Sequence, residues 1–262
     1  MPDILETIAA ATRKRVEKEK AEVSLDQVKA QAEAMPMGNH SFYQALAKPD
    51  ISFICECKQA SPSKGQIVDV FPYVDIAKDY EQAGADAISV LTEPQWFKGK
   101  LDYLQEISST VSIPCLRKDF TIDPYMIYQA KMYGASAVLL IVSILDPDEI
   151  KAYFELAESL GMDALVECHD EKEVEIAKAV GAKIIGVNNR NLRNFSVDST
   201  NCLRLRQQVG TNCLFVAESG VKNHVDIQKL EDAQVNAVLI GETMMKAPDK
   251  KAMLERLKYG QD

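Results

Sequence analysis

The sequence carries no surplus of positive charge. Its 39 acidic residues outnumber 30 lysines and arginines, for a formal net charge of −9, whereas neutralising a nucleic-acid backbone requires a basic surface. No nucleic-acid partner is expected, and an anionic ligand must be held by a local cluster of donors. Long apolar runs are also missing. The longest, such as Ala135–Leu145, fall well short of the ~18 to 20 residues that cross a bilayer. The first twenty residues, MPDILETIAAATRKRVEKEK, place apolar residues at helical spacing among charges and lack both the apolar stretch and the cleavage site of a secretory signal. No membrane association is expected, and the cytoplasm is the expected compartment. The six cysteines, at 55, 57, 115, 168, 202 and 213, show none of the close pairing of a zinc site and fall mostly inside apolar segments, so they read as reduced core residues. No G-x-G-x-x-G follows the first strand and there is no Walker-type loop, which argues against an open dinucleotide-binding sheet. No low-complexity linker divides the chain.

With 47% hydrophobic and 26% charged residues over 262 positions, the chain has the composition of an ordinary globular protein and the length of one large domain. A recurring unit runs along it, in which an amphipathic helix ends at glycine and a short apolar run follows. The joints are Glu81-Gln82-Ala83-Gly84-Ala85-Asp86 before AISVL, Met132-Tyr133-Gly134-Ala135 before SAVLLIV, and Ala179-Val180-Gly181-Ala182 before KIIGV.

On this basis strands are predicted near Phe53–Cys57, Ala87–Leu91, Pro114–Arg117, Ala137–Ile141, Ala164–Glu167, Ile184–Val187, Leu214–Ala217 and Ala237–Ile240. They are continuously apolar, as when both faces of a parallel sheet are covered, and their spacing leaves room for one crossover helix each. Eight βα units point to an α/β protein with a closed (β/α)₈ TIM barrel at residues 49–262. Residues 1–48 precede the first strand and contain two helical stretches, Asp3–Glu19 and Leu25–Ala34. They read as a helical extension packed on the barrel within one structural domain.

Barrel enzymes keep their active sites at the C-terminal ends of the strands, so polar residues that close an apolar run are the candidates. Strand one closes with Glu56 and Lys58, strand three with Arg117, Lys118 and Asp119, and strand five with Glu167. Strand six ends in Asn188, Asn189 and Arg190, strand seven in Glu218 and Ser219, and strand eight in Gly241 and Glu242. Any one of these could be a solvated strand end. Two lysines and three carboxylates converging on one mouth would instead shift one another's pKa values and supply acids and bases near neutral pH. Alternation along strand one puts Cys55 and Cys57 on one face and Glu56 and Lys58 on the other. Barrels often hold a phosphate on backbone N–H groups after strands seven and eight, and Glu218-Ser219-Gly220-Val221 and Ile240-Gly241-Glu242-Thr243 stand there. The loop Ser61-Pro62-Ser63-Lys64-Gly65 adds hydroxyls and a lysine.

At these residues the chain closely resembles the indole-3-glycerol-phosphate synthases of tryptophan biosynthesis over nearly its whole length. The resembling stretches include CECKQASPSKG (55–65), SVLTEPQWFKG (89–99), PCLRKDF (114–120), ALVECHD (164–170), IIGVNNRNL (184–192), VAESGV (216–221) and LIGETMM (239–245). The joint presence of K-x-x-S-P-S, L-T-E-x-x-x-F-x-G, R-K-D-F and N-N-R-N-L is specific to that family. The resemblance implies a carboxy-lyase that converts 1-(2-carboxyphenylamino)-1-deoxyribulose 5-phosphate to indole-3-glycerol phosphate, with loss of carbon dioxide and water. It implies no cofactor, no metal and no obligate protein partner.

Carried over by motif, Lys118 matches the family's general acid and Glu167 a carboxylate that stabilises positive charge or acts as base. Lys58 matches a second lysine, oriented by Glu56, that holds the substrate carboxylate or acts in dehydration. Asn188 and Glu218 match hydrogen-bonding groups, and Arg190 and Ser219 further polar positions. The phosphate is expected against Ser61 and the backbone of Gly220, Gly241 and Glu242. Phe97, Phe120, Leu139 and Leu192 match an apolar slot for the anthranilate ring. Departures are small: Cys55 and Cys57 flank Glu56, and Cys168-His169 follows Glu167. No histidine is assigned to catalysis, and all three read as surface or capping residues. Two rival readings are another phosphate-binding barrel of the same pathway and a catalytically silent barrel that binds a phosphometabolite. The paired lysines disfavour the first, and the complete site disfavours the second.

Overall fold

The computed structural model describes residues 4–191 and 195–260. Eight parallel strands follow one another around a closed barrel: β1 (Ser52–Cys57), β2 (Ala87–Leu91), β3 (Cys115–Lys118), β4 (Ala137–Ile141), β5 (Asp163–Cys168), β6 (Ile184–Asn188), β7 (Leu214–Glu218) and β8 (Ala237–Ile240), with β8 pairing back onto β1. Each lies within about a residue of its predicted bounds, because a strand buried on both faces is marked by the apolar run itself. A short antiparallel ladder, Ala60–Ser61 against Gly65–Gln66, folds the loop after β1 over the mouth.

Alternation sorts the strands into two shells. Phe53, Cys55 and Cys57 face outward into the layer shared with the helices, while Ile54 belongs to the inner core with Leu116, Leu165 and Val216. These four come from β1, β3, β5 and β7 and form one apolar layer of the kind alternate strands build in such barrels. Five of the six cysteines are buried and Cys213 is half-buried, all of them free thiols.

Three helices precede β1: α1 (Ile4–Glu22), α2 (Leu25–Glu33) and α3 (Ser41–Leu46). The first two match the sequence reading, and Ser24 closes the start of α2 with a reciprocal capping box to Gln27. The third has no counterpart in the sequence reading. At six residues it is too short to display a period, yet it seals the N-terminal end of the barrel, with Phe42 and Leu46 fully buried in the inner core.

At the opposite end α1 is fastened beside the mouth. Arg15 donates two hydrogen bonds to Asp119, both 2.9 Å, and Lys20 reaches Asp123 at 2.6 Å. No helix among the described residues is long and apolar enough to cross a membrane.

Candidate active site

The strand register places four charged side chains in a single layer. Glu56 pairs with Ser89, which pairs with Leu116, two residues before Lys118. Glu167 pairs with Gly186, which pairs with Val216, two residues before Glu218. Glu218 pairs with Leu239, which pairs with Ile54, two residues before Glu56. This stagger closes the circuit, so Glu56, Lys118, Glu167 and Glu218 stand one storey above the apolar layer of Ile54, Leu116, Leu165 and Val216. A layer that is normally hydrophobic is here built from one lysine and three glutamates.

Such a layer holds only if its charges are paired. Lys118 Nζ donates to Glu167 Oε2 at 2.8 Å and to Glu218 Oε2 at 2.9 Å, while Lys58, two residues on and just past the end of β1, donates to Glu56. Burial would lower the Lys118 pKa, but the carboxylates of Glu167, Glu218 and Glu56 outweigh it and hold the ammonium protonated. The two glutamates then diverge. Burial pushes Glu218 up to about 7 against the pull of Lys118, with the charge of Glu167 adding to the rise. Burial acts on Glu167 in the same sense, but Lys118 and His169 bring it well below the ordinary glutamate range. Asn188 donates to the other oxygen of Glu167 at 3.3 Å. One carboxylate is therefore held ionised while its neighbour carries a proton near neutrality.

These groups line a cavity of about 610 Å³. Of the candidates drawn from the sequence, Glu56, Lys58, Lys118, Glu167, Asn188 and Glu218 all face it, as do Ser61, Arg190, Ser219, Gly220, Gly241 and Glu242. Phe97, Phe120 and Leu139 supply an apolar wall, the two rings 6.2 Å apart between centroids. Leu192 lies outside the described residues. Ile4, Leu5 and Ile8 of α1 also line the cavity, a contribution that the sequence reading of the extension missed. Their helical spacing marked a buried face but not what it covers.

The loops proposed for phosphate are tied together. Lys64 after β1 pairs with Glu242 after β8 at 3.6 Å, and Thr243 donates to Val221 O after β7 at 3.1 Å. The Glu242 side chain is engaged by Lys64 and Lys246, which leaves its backbone as the part able to meet an anion.

Arg117, grouped with the polar residues that close its strand, does not face the mouth. It is one residue out of phase with Lys118, and its guanidinium is buried against Met126 O, Gln129 and Asp119. The L-T-E-x-x-x-F-x-G stretch also has a structural account. Buried Glu93 accepts the backbone N–H groups of Gln95, Trp96 and Phe97 at 2.9, 2.7 and 3.0 Å, which fixes the loop that presents Phe97.

Two glycines make room for the charged layer. A Cβ on Gly186 would stand 2.4 Å from Glu218 Oε1, and one on Gly241 would stand 2.3 Å from Glu56 Oε1 and 2.8 Å from Lys58 Nζ. The obstructed atoms are the ends of side chains, so Gly186→Ala should leave the barrel folded but move Glu218 off Lys118. Its expected signature is a kcat lowered by roughly tenfold or more with an unfolding midpoint near wild type, measured by steady-state kinetics and denaturant titration.

Two of the histidines fit their reading as surface or capping residues and one does not. His40 stands at the N-cap position of α3, 37% exposed and bonded to Asp163 at 3.0 Å, and His224 meets Leu257 O, in the last turn of the helix Lys250–Tyr259, at 2.9 Å. His169 is partly buried beside the charged layer. At the N-terminal end of the barrel His40, Glu158 and Asp163 are close enough to hold a metal ion. However, Lys183 already pairs with Glu158 and the Tyr43 N–H occupies Asp163 at 2.8 Å, so the cluster reads as a fastening for α3.

A barrel with a buried lysine–glutamate layer under an apolar wall, and linked loops after β1, β7 and β8, defines a (β/α)₈ enzyme built for acid–base chemistry on an anionic substrate. The fold is shared with the 3-hexulose-6-phosphate synthase of Salmonella typhimurium, which superposes with a TM-score of 0.65 over 79% of this chain and 96% of that one at 12% identity. The family model for indole-3-glycerol phosphate synthase matches residues 5–257. The indole-3-glycerol phosphate synthase of Ruminiclostridium cellulolyticum is 52% identical over 256 residues, covering 97% of this chain and 98% of its own. That of Endomicrobium trichonymphae is 53% identical over 258 residues, covering 97% and 99%. The chain belongs to the indole-3-glycerol phosphate synthase family.

Proposed function

We infer that this protein is a carboxy-lyase that closes the indole ring of 1-(2-carboxyphenylamino)-1-deoxyribulose 5-phosphate in tryptophan biosynthesis, releasing carbon dioxide and water. The observation that carries the chemistry is the Lys118 ammonium clamped between Glu167 and Glu218 at 2.8 and 2.9 Å, facing the slot formed by Phe97, Phe120 and Leu139.

The anthranilate ring stacks in the apolar slot, and the ribulose carbonyl oxygen lies against Lys118. As the ring attacks, that oxygen becomes an alkoxide far more basic than an amine, so transfer of the Lys118 proton is downhill although the carboxylates hold it tightly. The positive charge that develops on the ring and nitrogen meets ionised Glu167. The carboxylate leaves as carbon dioxide, its bonding electrons restoring the aromatic ring. Lys58, oriented by Glu56, then protonates the departing hydroxyl, and a carboxylate of the layer takes a proton from the carbon beside the nitrogen. Two protons enter and one leaves, so each turnover draws one proton from solvent.

The phosphate is held by Ser61, by backbone N–H groups at Gly220, Gly241 and Glu242, and by Lys64 once its pairing with Glu242 opens. Arg190, Asn188 and Ser219 contact the hydroxyls and the carboxylate. Residues 1–48 act as an extension of the barrel whose α1 roofs the apolar slot, and the enzyme works in the cytoplasm without an obligate protein partner. Incubating purified protein with the carboxyphenylamino-deoxyribulose phosphate and following indole fluorescence tests the reading. Product is expected, and its absence would overturn the assignment.

A further inference from the structure

His169 stands beside the layer and has no part in the chemistry above. It lies two residues beyond Glu167, on the same face of the chain, and reaches over the end of β5 to bring Nε2 3.5 Å from Glu167 Oε1. Its other ring nitrogen is fixed. Glu173, on α4 (Glu171–Ala179), meets Nδ1 at 3.2 Å and accepts the His169 backbone N–H at 2.7 Å through the same oxygen. The loop is pinned further by Asn201, which donates to the His169 carbonyl at 3.1 Å. With Nδ1 committed to a carboxylate, Nε2 points at a second one. It is buried and has no hydrogen-bond partner among the described residues, while His169 does not line the substrate cavity.

We propose that His169 is a positioning residue: its imidazolium, held by Glu173, stands behind the cavity wall and keeps Glu167 the ionised member of the Glu167–Glu218 pair, so that the proton of the pair stays on Glu218.

The geometry supplies the asymmetry that Lys118 cannot. Lys118 touches both glutamates at nearly equal distance, so by itself it does not choose between them. Of the two glutamates, His169 and Asn188 contact Glu167 and not Glu218. The groups facing the imidazole are Glu167 at the end of β5, Glu173 on α4 and Glu218 on β7, with Asp170 bound to the start of α4 and Lys118 across Glu167. Burial disfavours the charged ring, but the hydrogen bond to Glu173 and the charges of Glu167, Glu173 and Glu218 together raise its pKa. A neutral ring protonated at Nδ1 would turn a lone pair toward the Glu167 carboxylate, which this arrangement disfavours.

The inference rests on the synthase reading, and the experiment separates the two. The kcat pH profile is measured for wild type, His169→Gln, Glu173→Gln and the double variant. Wild-type turnover supports the synthase reading, and its absence overturns that reading and this one with it. Losing the imidazolium raises the pKa of the neighbouring carboxylate pair, so in H169Q the limb of the profile near neutrality should move up by about one pH unit, with KM little changed. E173Q discriminates by sign. Removal of a nearby negative charge would by itself lower the pKa of the pair, whereas loss of the partner that keeps His169 protonated raises it, so an upward shift is expected. The double variant should match H169Q within about twofold, because Glu173 acts through the histidine. An unshifted H169Q profile in active enzyme, a downward shift in E173Q, or independent effects that multiply in the double variant would overturn the role. A merely structural loss would lower activity without moving the limb, which also overturns it.

Discussion

Lys118→Ala is expected to lower kcat at least ~10²-fold, the low end for removal of a general acid, in the indole fluorescence assay. The loss has two parts. No proton reaches the carbonyl oxygen, and Glu167 and Glu218, each about 2% exposed, lose the cation between them. With the cation gone, Glu167 loses the main influence that keeps it ionised beside protonated Glu218, so it too takes up a proton more readily and no longer offers a full negative charge to the cationic intermediate. The variant should also acquire a pH-dependent stability. A carboxylate whose folded pKa is raised contributes stability below its unfolded pKa and loses it as pH rises toward the folded one. Relative to wild type, Lys118→Ala should therefore weaken from the ordinary glutamate range toward neutrality. Wild-type kcat in the variant would remove Lys118 from the chemistry.

Asp119→Ala is expected to cost about 3 to 5 kcal/mol of stability, the range for removing one partner from a buried ion pair. Asp119 is about 1% exposed and accepts from Arg15, Arg117, Thr92 and the Phe120 backbone N–H. Without it Arg117, itself about 1% exposed, keeps a buried charge with no carboxylate, and α1 loses one of its two fastenings beside the cavity. Urea titration should show a lower midpoint, and activity should fall as well, because Lys118 and Phe120 flank the vacated position. Burial would raise the Asp119 pKa, but Arg15 and Arg117 bring it below the ordinary value. Its contribution is therefore complete above about pH 4, the unfolded aspartate value, and is lost as pH falls through the lowered folded pKa. The gap between wild type and variant should be constant near neutrality and narrow only in strong acid.

These two variants part the roles of adjacent residues, and the sequence shows why that was only partly legible. The eight strands could be read because parallel strands covered on both faces are apolar throughout, and Glu56, Lys118, Glu167 and Glu218 could be read because each follows such a run. That they share one layer depends on a stagger accumulated around the closed barrel, which no local pattern records. Arg117 was grouped with Lys118 by proximity, although alternation already placed it on the other face. His169 was set aside with Cys168, although its separation of two residues from Glu167 marked a shared face. Gly186 gave no signal, because the side chain it makes room for comes from the next strand. The apolar spacing of Ile4, Leu5 and Ile8 announced a buried face without naming the cavity beneath it, and α3 was too short to announce itself at all.

The central claim is that lysines and glutamates alone carry out ring closure, decarboxylation and dehydration. It is tested most directly by measuring the carbon dioxide and indole-3-glycerol phosphate formed together by the purified wild-type protein in the presence of excess chelator. The proposed chemistry predicts one carbon dioxide for each indole-3-glycerol phosphate, formed at the same rate as without chelator. Absence of indole-3-glycerol phosphate, carbon dioxide without it, or a rate that disappears on chelation and returns with a divalent metal would contradict it.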